Sequence, residues 1–546
     1  MTKRMFSIWT VVAVGIFCVI GGMQLNNLIS GDALFDQLTK LEQVYRLVKE
    51  YYVEPVDMTL LTESSINGML DKLDPHSTYI QPKAFQVVSE EMKGKFEGIG
   101  IYFSIFNDTL VVTEPIGGGP SAQVGIQTND RIVRINDSSV IGYTTVRIQA
   151  SLKGPKGSKV KVSVVRSNVK ELLDFVITRD VISLNSVDAA MMVREGVGYI
   201  SVNKFIEPTH TEMATALKKL QGLGMKRLIL DLRANPGGYL EEAVRMADLF
   251  LDGGSSEVPH KIVYTKARIP EFEESYVART GEEFEKVPLI VLISNFSASA
   301  SEIVAGAVQD WDRGLIVGET SFGKGLVQRQ WELNDRSALR LTIARYYTPS
   351  GRLIQRAYEG KGKDEYRKEA FQREEQEGEN IQHKTEGDSA RPIFKTASGR
   401  IVYGGGGITP DYVVKSQTLT SYSQTILRRA LTDQFIITYL DKEGSKIHSA
   451  YGKDFGRFKK DFVVDQSLMK DFFQYVDSKL AEDKDLKVER KDLDKDQEYL
   501  RVRLKATIAR SYWGFEGWYS IMLEVDSQFL KAVTLFPEAM KIAKLN

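Results

Sequence analysis

Three apolar runs in the middle of the chain each read as a buried strand handing over to a turn, and they restrict the fold more than any other feature. Arg227-Leu228-Ile229-Leu230-Asp231-Leu232-Arg233 ends in Ala234-Asn235-Pro236-Gly237-Gly238, and a helical pattern from Tyr239 to Leu251 follows at once. Pro288-Leu289-Ile290-Val291-Leu292-Ile293 leads through Asn295 into Ser297-Ala298-Ser299-Ala300-Ser301-Glu302, which opens an apolar helix running to Trp311. Leu315-Ile316-Val317-Gly318 leads to Ser321-Phe322-Gly323-Lys324-Gly325-Leu326-Val327-Gln328, and a long strand pattern, Ala338 to Tyr347, ends at Thr348-Pro349-Ser350-Gly351. Short apolar strands alternating with helices specify an α/β layer, here over residues 181–415. Loops that follow the strands of such a layer are where sites are built.

Each of those loops has two local readings. Gly237 and Gly238 stand ahead of a helix N-terminus, where unpaired N–H groups favour an anion. The turn can hold an oxyanion, or it can simply need glycine for its backbone. Ser299 with Glu302 three positions on fits a capping box, and Ser297 and Ser301 compete with it for any nucleophilic role. Lys324 between two glycines reads as a solvated loop lysine or as a base. Ser321-x-x-Lys324 also matches the Ser-x-x-Lys of β-lactamases, but that motif starts a helix. Here glycines flank the lysine, a strand follows, and no Lys-Thr-Gly is present.

At 546 residues the chain calls for two to four domains. Lys+Arg and Asp+Glu are equal at 72 each, which gives no support for nucleic-acid binding. Cys18 is the single cysteine and the five histidines are scattered, so no intrachain disulfide, multi-cysteine site or His-rich metal site is expected. Lys3 and Arg4 precede a run without charge up to Asp32. Residues 1–30 therefore read as a membrane anchor, or as a cleaved signal segment, with the body exported to a bacterial periplasm.

Residues 31–94 read as helical. Phe35, Leu38, Leu41, Val44, Tyr45 and Val48 recur at helical steps, and a second helix spans about Leu60 to Leu73. An apolar helix exposed there could pair with a second copy, giving a homo-oligomer. His76, in an Asp-Pro-His-Ser turn, reads as a local hydrogen-bonding residue. Residues 95–180 are short β patterns entered through Glu97-Gly98-Ile99-Gly100-Ile101, and their order resembles a PDZ domain. That resemblance implies an extended peptide added as a strand, with its terminal carboxylate on the amides of Gly98, Ile99, Gly100 and Ile101. The stretch at about 357–400 is densely charged and reads as a solvated or mobile insertion. Residues 416–546 carry apolar residues at helical spacing over Ile426–Leu440, Leu468–Leu480 and Gln497–Ile508. The aromatic group from Tyr512 to Tyr519 reads as packed core or interface.

Taken together, the motifs resemble the carboxyl-terminal processing, or tail-specific, protease family. They are Leu73-Asp74-Pro75-His76-Ser77, the PDZ-like module, Asp231-Leu232-Arg233-Ala234-Asn235-Pro236-Gly237-Gly238, Ser297-Ala298-Ser299-Ala300-Ser301-Glu302, Gly323-Lys324-Gly325, Tyr347-Thr348-Pro349-Ser350-Gly351-Arg352 and Gly406-Gly407-Ile408-Thr409-Pro410-Asp411. They run in order across about residues 35–415. The resemblance implies a crotonase/ClpP-like α/β protease core with an inserted PDZ domain and helical regions at both ends. It also implies a Ser299–Lys324 dyad assisted by Gln328, with oxyanion donors from Gly237 or Gly238 and from Ala300. No metal or cofactor is called for; the substrates are proteins or peptides with accessible C-termini. Since a lysine is a base only when neutral, Lys324 is expected to be buried and unpaired. The competing reading is a membrane-tethered PDZ scaffold that only binds.

Overall fold

The computed structural model describes residues 32–545 apart from 168, 374–375, 384–390, 453, 484–489 and 491–492. It divides into two compact units, Met1–Asp74 and Pro75–Asn546. In the first, α1 (Asp32–Tyr51) and α2 (Met58–Leu70) are the expected helices. The second starts two residues early because the Asp57 carboxylate accepts from the Thr59 and Leu60 N–H groups. Phe35, Leu38 and Val44 on α1 are exposed. The apolar run of residues 5–20 lies outside the described residues; among those described, no helix is long and apolar enough to cross a membrane.

The second unit opens with β1 (Thr78–Ile80), α3 (Pro82–Met92) and β2 (Lys95–Gly98). A mainly-β module follows: β3 (Ile101–Phe106), β4 (Thr109–Pro115), α4 (Pro120–Gln123), β5 (Arg131–Ile135), β6 (Ser138–Ser139), α5 (Thr145–Leu152), β7 (Lys159–Val165) and β8 (Leu173–Thr178). Its sheet runs in the order β3-β4-β5-β7-β8, with β6 beside β5. Alternating Leu110, Val112, Ile132, Val160, Val162 and Val164 make its core. The chain leaves the module through β9 (Asp180–Ser183), which pairs with β2, so entry and exit form one two-stranded ribbon.

The α/β core comprises β10 (Val187–Arg194), β11 (Val197–Val202), α6 (Thr209–Gly222), β12 (Arg227–Asp231), α7 (Leu240–Asp248), β13 (Lys261–Ala267), β14 (Ser275–Val277), β15 (Leu289–Ile293), α8 (Ala300–Asp310), β16 (Leu315–Gly318), β17 (Leu326–Glu332), β18 (Ala338–Tyr347), α9 (Lys363–Phe371), β19 (Gly378–Glu379), β20 (Ile393–Lys395), β21 (Ile401–Tyr403) and β22 (Tyr412–Val413). The main sheet is ordered β10-β11-β12-β15-β16-β22-β19. Within it the pairs from β11 through β22 are parallel. The three apolar runs are thus adjacent parallel strands, and the loops at their C-terminal ends meet. A second sheet, β1-β18-β13-β14 with β17 on β18, stands beside it.

The charged insertion is not simply a solvated segment. Tyr366 and Ala370 of α9 are buried, and Phe371 packs against Phe296 and Phe322, because apolar residues hidden among the charges find a place beside the Ser321–Lys324 loop.

The C-terminal helices are α10 (Ser421–Arg428), α11 (Leu431–Tyr451), α12 (Phe455–Asp461), α13 (Gln466–Ala481), α14 (Gln497–Met522), α15 (Ser527–Thr534) and α16 (Phe536–Ile542). The expected helix over Ile426–Leu440 is two, broken where Ala430 takes φ +50°. Helix α14 runs well past Ile508 and bends at Trp513 and Gly514, which leave helical geometry. Before the bend, Leu500, Leu504 and Ile508 pack into a helical bundle with Phe435, Phe458 and Phe472. After it, Tyr519, Leu523, Phe529, Leu535 and Phe536 cover one face of the main sheet over Tyr199, Ile229, Ile290 and Val317. Helices α6, α7 and α8 cover the other. A single boundary at residue 416 does not separate bundle from core, since the last helices are the core's own third layer.

Candidate active site

The loop after β12 and the loop after β15 are held together by their own hydrogen bonds. Ser297 Oγ donates to the Leu232 carbonyl (2.7 Å) and accepts the Ser294 N–H (2.9 Å). Ser301 Oγ donates to the Asn235 carbonyl (2.9 Å), which also takes the Ala298 N–H (3.2 Å). Both serines are fully buried. Of the three serines that local sequence leaves open, Ser297 and Ser301 staple the turn. Ser299 between them is half-buried and has φ +55°, the conformation of a residue presented on a tight strand-to-helix turn.

Glycine is required beside it. A Cβ on Gly237 (φ +98°) would lie 2.8 Å from Ser299 Cβ and 2.7 Å from the Ala298 carbonyl, and one on Gly238 would lie 1.9 Å from the Phe205 carbonyl. The Gly237 N–H donates to Asn235 Oδ1 (2.8 Å), so it is occupied. The N–H groups of Gly238 and Ala300 donate to nothing among the described residues. Of the two glycine amides left open by sequence, Gly238 is the one available to a ligand.

Glu302 carries the connection to the lysine stretch. Its Oε2 accepts the Ser299 N–H (2.7 Å), which is the glutamate half of the capping box, and also the Lys324 N–H (2.9 Å). Its Oε1 accepts the Gly323 N–H (2.7 Å) and the Ser321 hydroxyl. Burial raises the Glu302 carboxyl above its usual range, and the four donors oppose that. Tyr346 on β18 adds a second clasp: its hydroxyl lies 2.7 Å from the Lys324 carbonyl and 3.1 Å from the Ser299 carbonyl. Burial, with Glu302 nearby, raises that phenol well above its ordinary value. The Phe322 N–H, donating to the Ser297 carbonyl (2.9 Å), closes the arrangement. Arg356 and Arg373 both donate to the Phe322 carbonyl (2.6 and 3.0 Å), and Arg373 also to Ser321 (2.9 Å). The Lys324 loop is thus fixed from the insertion side as well.

Lys324 departs from expectation. It is half-buried rather than fully buried, and it is not without a partner. Its stretch runs along the rim of the site between Glu302 and β17, which leaves the side chain partly accessible. Gln328 Nε2 donates to the Leu326 carbonyl (3.3 Å) and Thr342 Oγ1 (3.4 Å). The His76 ring lies edge-on to Tyr366 (5.5 Å) and Phe322 (6.4 Å), so it contacts residues far along the chain rather than only its own turn.

In the β module, Gly98, Ile99, Gly100, Ile101 and Phe103 form one wall of a groove of about 380 Å³, opposite Thr145, Gln149 and Leu152 of α5. The Ile99 and Gly100 N–H groups donate to nothing among the described residues. A groove between an edge strand and a helix, ending in open amides, is the geometry that accepts an added peptide strand.

Family models match the same parts of the chain. Peptidase family S41 covers residues 196–363, a PDZ domain 85–165, and the N-terminal domain of the activating protease CtpB 23–84. Residues 422–514 match a family of unknown function. The carboxy-terminal-processing protease of Bartonella bacilliformis is 38% identical over 325 residues, 59% of this chain and 73% of that one. The chain belongs to the carboxy-terminal processing protease family. It is therefore a serine peptidase carrying a PDZ domain, and the scaffold-only alternative falls away. The carboxy-terminal processing protease CtpA of Bacillus subtilis is 34% identical over 328 residues, 60% of this chain and 67% of that one. Among solved structures, the photosystem II D1 C-terminal processing protease aligns at 29% identity over 58% of this chain and 83% of that one, with a TM-score of 0.33.

Neither Glu302, beyond its cap, nor Tyr346 was singled out by sequence reasoning. The only signal for Glu302 was its place in the capping box; for Tyr346 there was none.

Proposed function

We propose that Ser299 is the nucleophile and Lys324 the general base of an endopeptidase that takes its substrates by their C-terminal tails. The observation that carries this is the pair of clasps: Glu302 and Tyr346 each bond to Ser299 and to Lys324. A serine hydroxyl needs an adjacent base to attack a carbonyl. Lys324 Nζ, desolvated into its neutral form when substrate closes the rim, removes the Ser299 proton as Oγ bonds to the peptide carbon. The Gly238 and Ala300 N–H groups hold the developing oxyanion, a contribution of about 100- to 1000-fold per donor. Lys324 then gives its proton to the leaving amine, and water, deprotonated in turn by Lys324, releases the acyl group from Ser299. Gln328 orients the amine. The groove along Ile99–Phe103 holds the substrate tail, its carboxylate on the open amides. Lys3 and Arg4 ahead of the apolar run support an assignment to the bacterial cell envelope, with the body outside the inner membrane.

Hydrolysis of an unfolded protein by the full chain tests the dyad. Ser299→Ala and Lys324→Ala should each abolish it with melting temperature unchanged. Ser297→Ala and Ser301→Ala should instead lose about 1–3 kcal/mol of stability, because each leaves buried backbone groups unpaired. Full activity in Ser299→Ala would sink the assignment. Amidating the substrate's C-terminus should raise KM if the groove reads the carboxylate.

A further inference from the structure

The β module is joined to the core by the β2–β9 ribbon, and a two-stranded ribbon on its own is a hinge. Beside that hinge Lys153, at the end of α5, pairs with Glu90 of α3 (2.6 Å), and the other contacts that resist pivoting lie farther off. On β5, Arg131 forms a bidentate ion pair with Asp441 of α11, one arm at 3.0 Å. Ser167 Oγ donates to the Asp441 carbonyl (2.8 Å), and Asn129 Nδ2 donates to the Ile437 carbonyl (3.4 Å). The bend of α14 also meets the module, since a Cβ on Gly514 would lie 3.3 Å from Glu114 Oε1. Directly past that bend the same helix grips the core. Glu516 pairs with Lys219 (2.7 Å) and the Tyr519 hydroxyl meets Ser201 Oγ (3.0 Å), and just beyond the helix Asp526, the cap of α15, pairs with Arg233 (2.7 Å).

We propose that the C-terminal helical bundle is a brace that fixes the peptide-binding module to the protease core and so sets the distance from a held tail to the cut bond. This rests on the module holding the tail, as argued above. The contacts suit the task. On the module side they are polar and partly exposed, with the Arg131 and Asp441 side chains 22% and 24% accessible, so they fix orientation without merging the module into the core. On the core side they are continuous with the helices that cover the main sheet, so the brace is anchored in the layer beneath the dyad. Arg233 ties this directly to the strand before the glycine turn, because it pairs with Asp231 as well as with Asp526.

The brace is tested in the full-length protein with Arg131→Ala, Asp441→Ala and the charge-exchanged pair Arg131→Asp with Asp441→Arg. Amide hydrogen exchange across β2 and β9 should quicken at least fivefold in the single variants and return toward the parent rate in the exchanged pair. Product positions on one unfolded substrate, mapped by mass spectrometry, should be a narrow set in the parent. They should spread in the single variants and narrow again in the exchanged pair. Cleavage of the same substrate with an amidated C-terminus should keep its rate in every variant. Unchanged exchange in β2 and β9 would overturn the brace whatever the products are. If exchange quickens as expected but tail amidation has no effect on the parent, the brace stands and the tail-holding reading fails.

Discussion

At the scale of single residues, the site depends on two side chains that do no chemistry. Glu302 and Tyr346 each hold the backbone of both residues of the proposed dyad, so the spacing of Ser299 and Lys324 is set by hydrogen bonds to atoms that every amino acid has. Tyr346→Phe removes the two of those bonds that its hydroxyl makes and nothing else. We expect kcat to fall about tenfold, the worth of one buried hydroxyl shared between two carbonyls, with KM within twofold. Steady-state kinetics on a short peptide would decide it, and an equal loss across kcat and KM would count against a positioning role. Local sequence left Ser297, Ser299 and Ser301 open, and only the family resemblance pointed to Ser299; the part of Ser297 and Ser301 in stapling the turn was not legible. It depends on which hydroxyls meet the Leu232 and Asn235 carbonyls, more than 60 positions away in each case. The reach of Glu302 to Ser321, Gly323 and Lys324 was hidden in the same way: a capping box describes four consecutive residues, and the other three donors come from the next strand's loop.

At the scale of elements, the apolar runs were readable because their order and spacing alone specify parallel neighbours with a loop cluster at one end. The bend in α14 was not, since Trp513-Gly514 differs little from an ordinary helical glycine until a second element touches it. At that junction Glu114 of β4 and Asp188 of β10 both have carboxyls raised by burial, which Arg510 of α14 opposes, while Tyr102 of β3 is raised by burial and by those two carboxyls. A carboxyl raised in the folded chain binds its proton there before the unfolded chain does. Its stabilising effect is therefore complete below the ordinary carboxylate range and is lost as pH rises through the folded value. Lowering pH from 7 toward 5 should thus firm this junction. Glu114→Gln should flatten that part of the pH profile and raise the melting temperature at pH 7. A profile identical to the parent's would contradict the burial argument. The charged insertion misled for a related reason: density of charge said nothing of Tyr366 and Phe371, whose contacts are with the lysine loop.

At the scale of the molecule, the protease core is finished only by the end of the chain. Phe529, Leu535 and Phe536 are buried on the face of the main sheet opposite α6–α8. At about 1.5–3 kcal/mol for each large apolar side chain, those three and Leu523 together contribute on the order of 10 kcal/mol. That is comparable to the whole stability of an ordinary domain. A chain truncated after Lys415 should therefore be insoluble or aggregated, not a minimal active core, and size-exclusion chromatography of the truncated protein would show which. A soluble, proteolytically active fragment would refute this. The dependence also acts in time. During synthesis Ser299, Lys324, the glycine turn and the module are all made more than a hundred residues before α16, yet the main sheet lacks one of its two coverings until α16 has emerged and docked. In a nascent chain of this architecture, the layer that finishes the sheet beneath the proposed dyad is the last to be made.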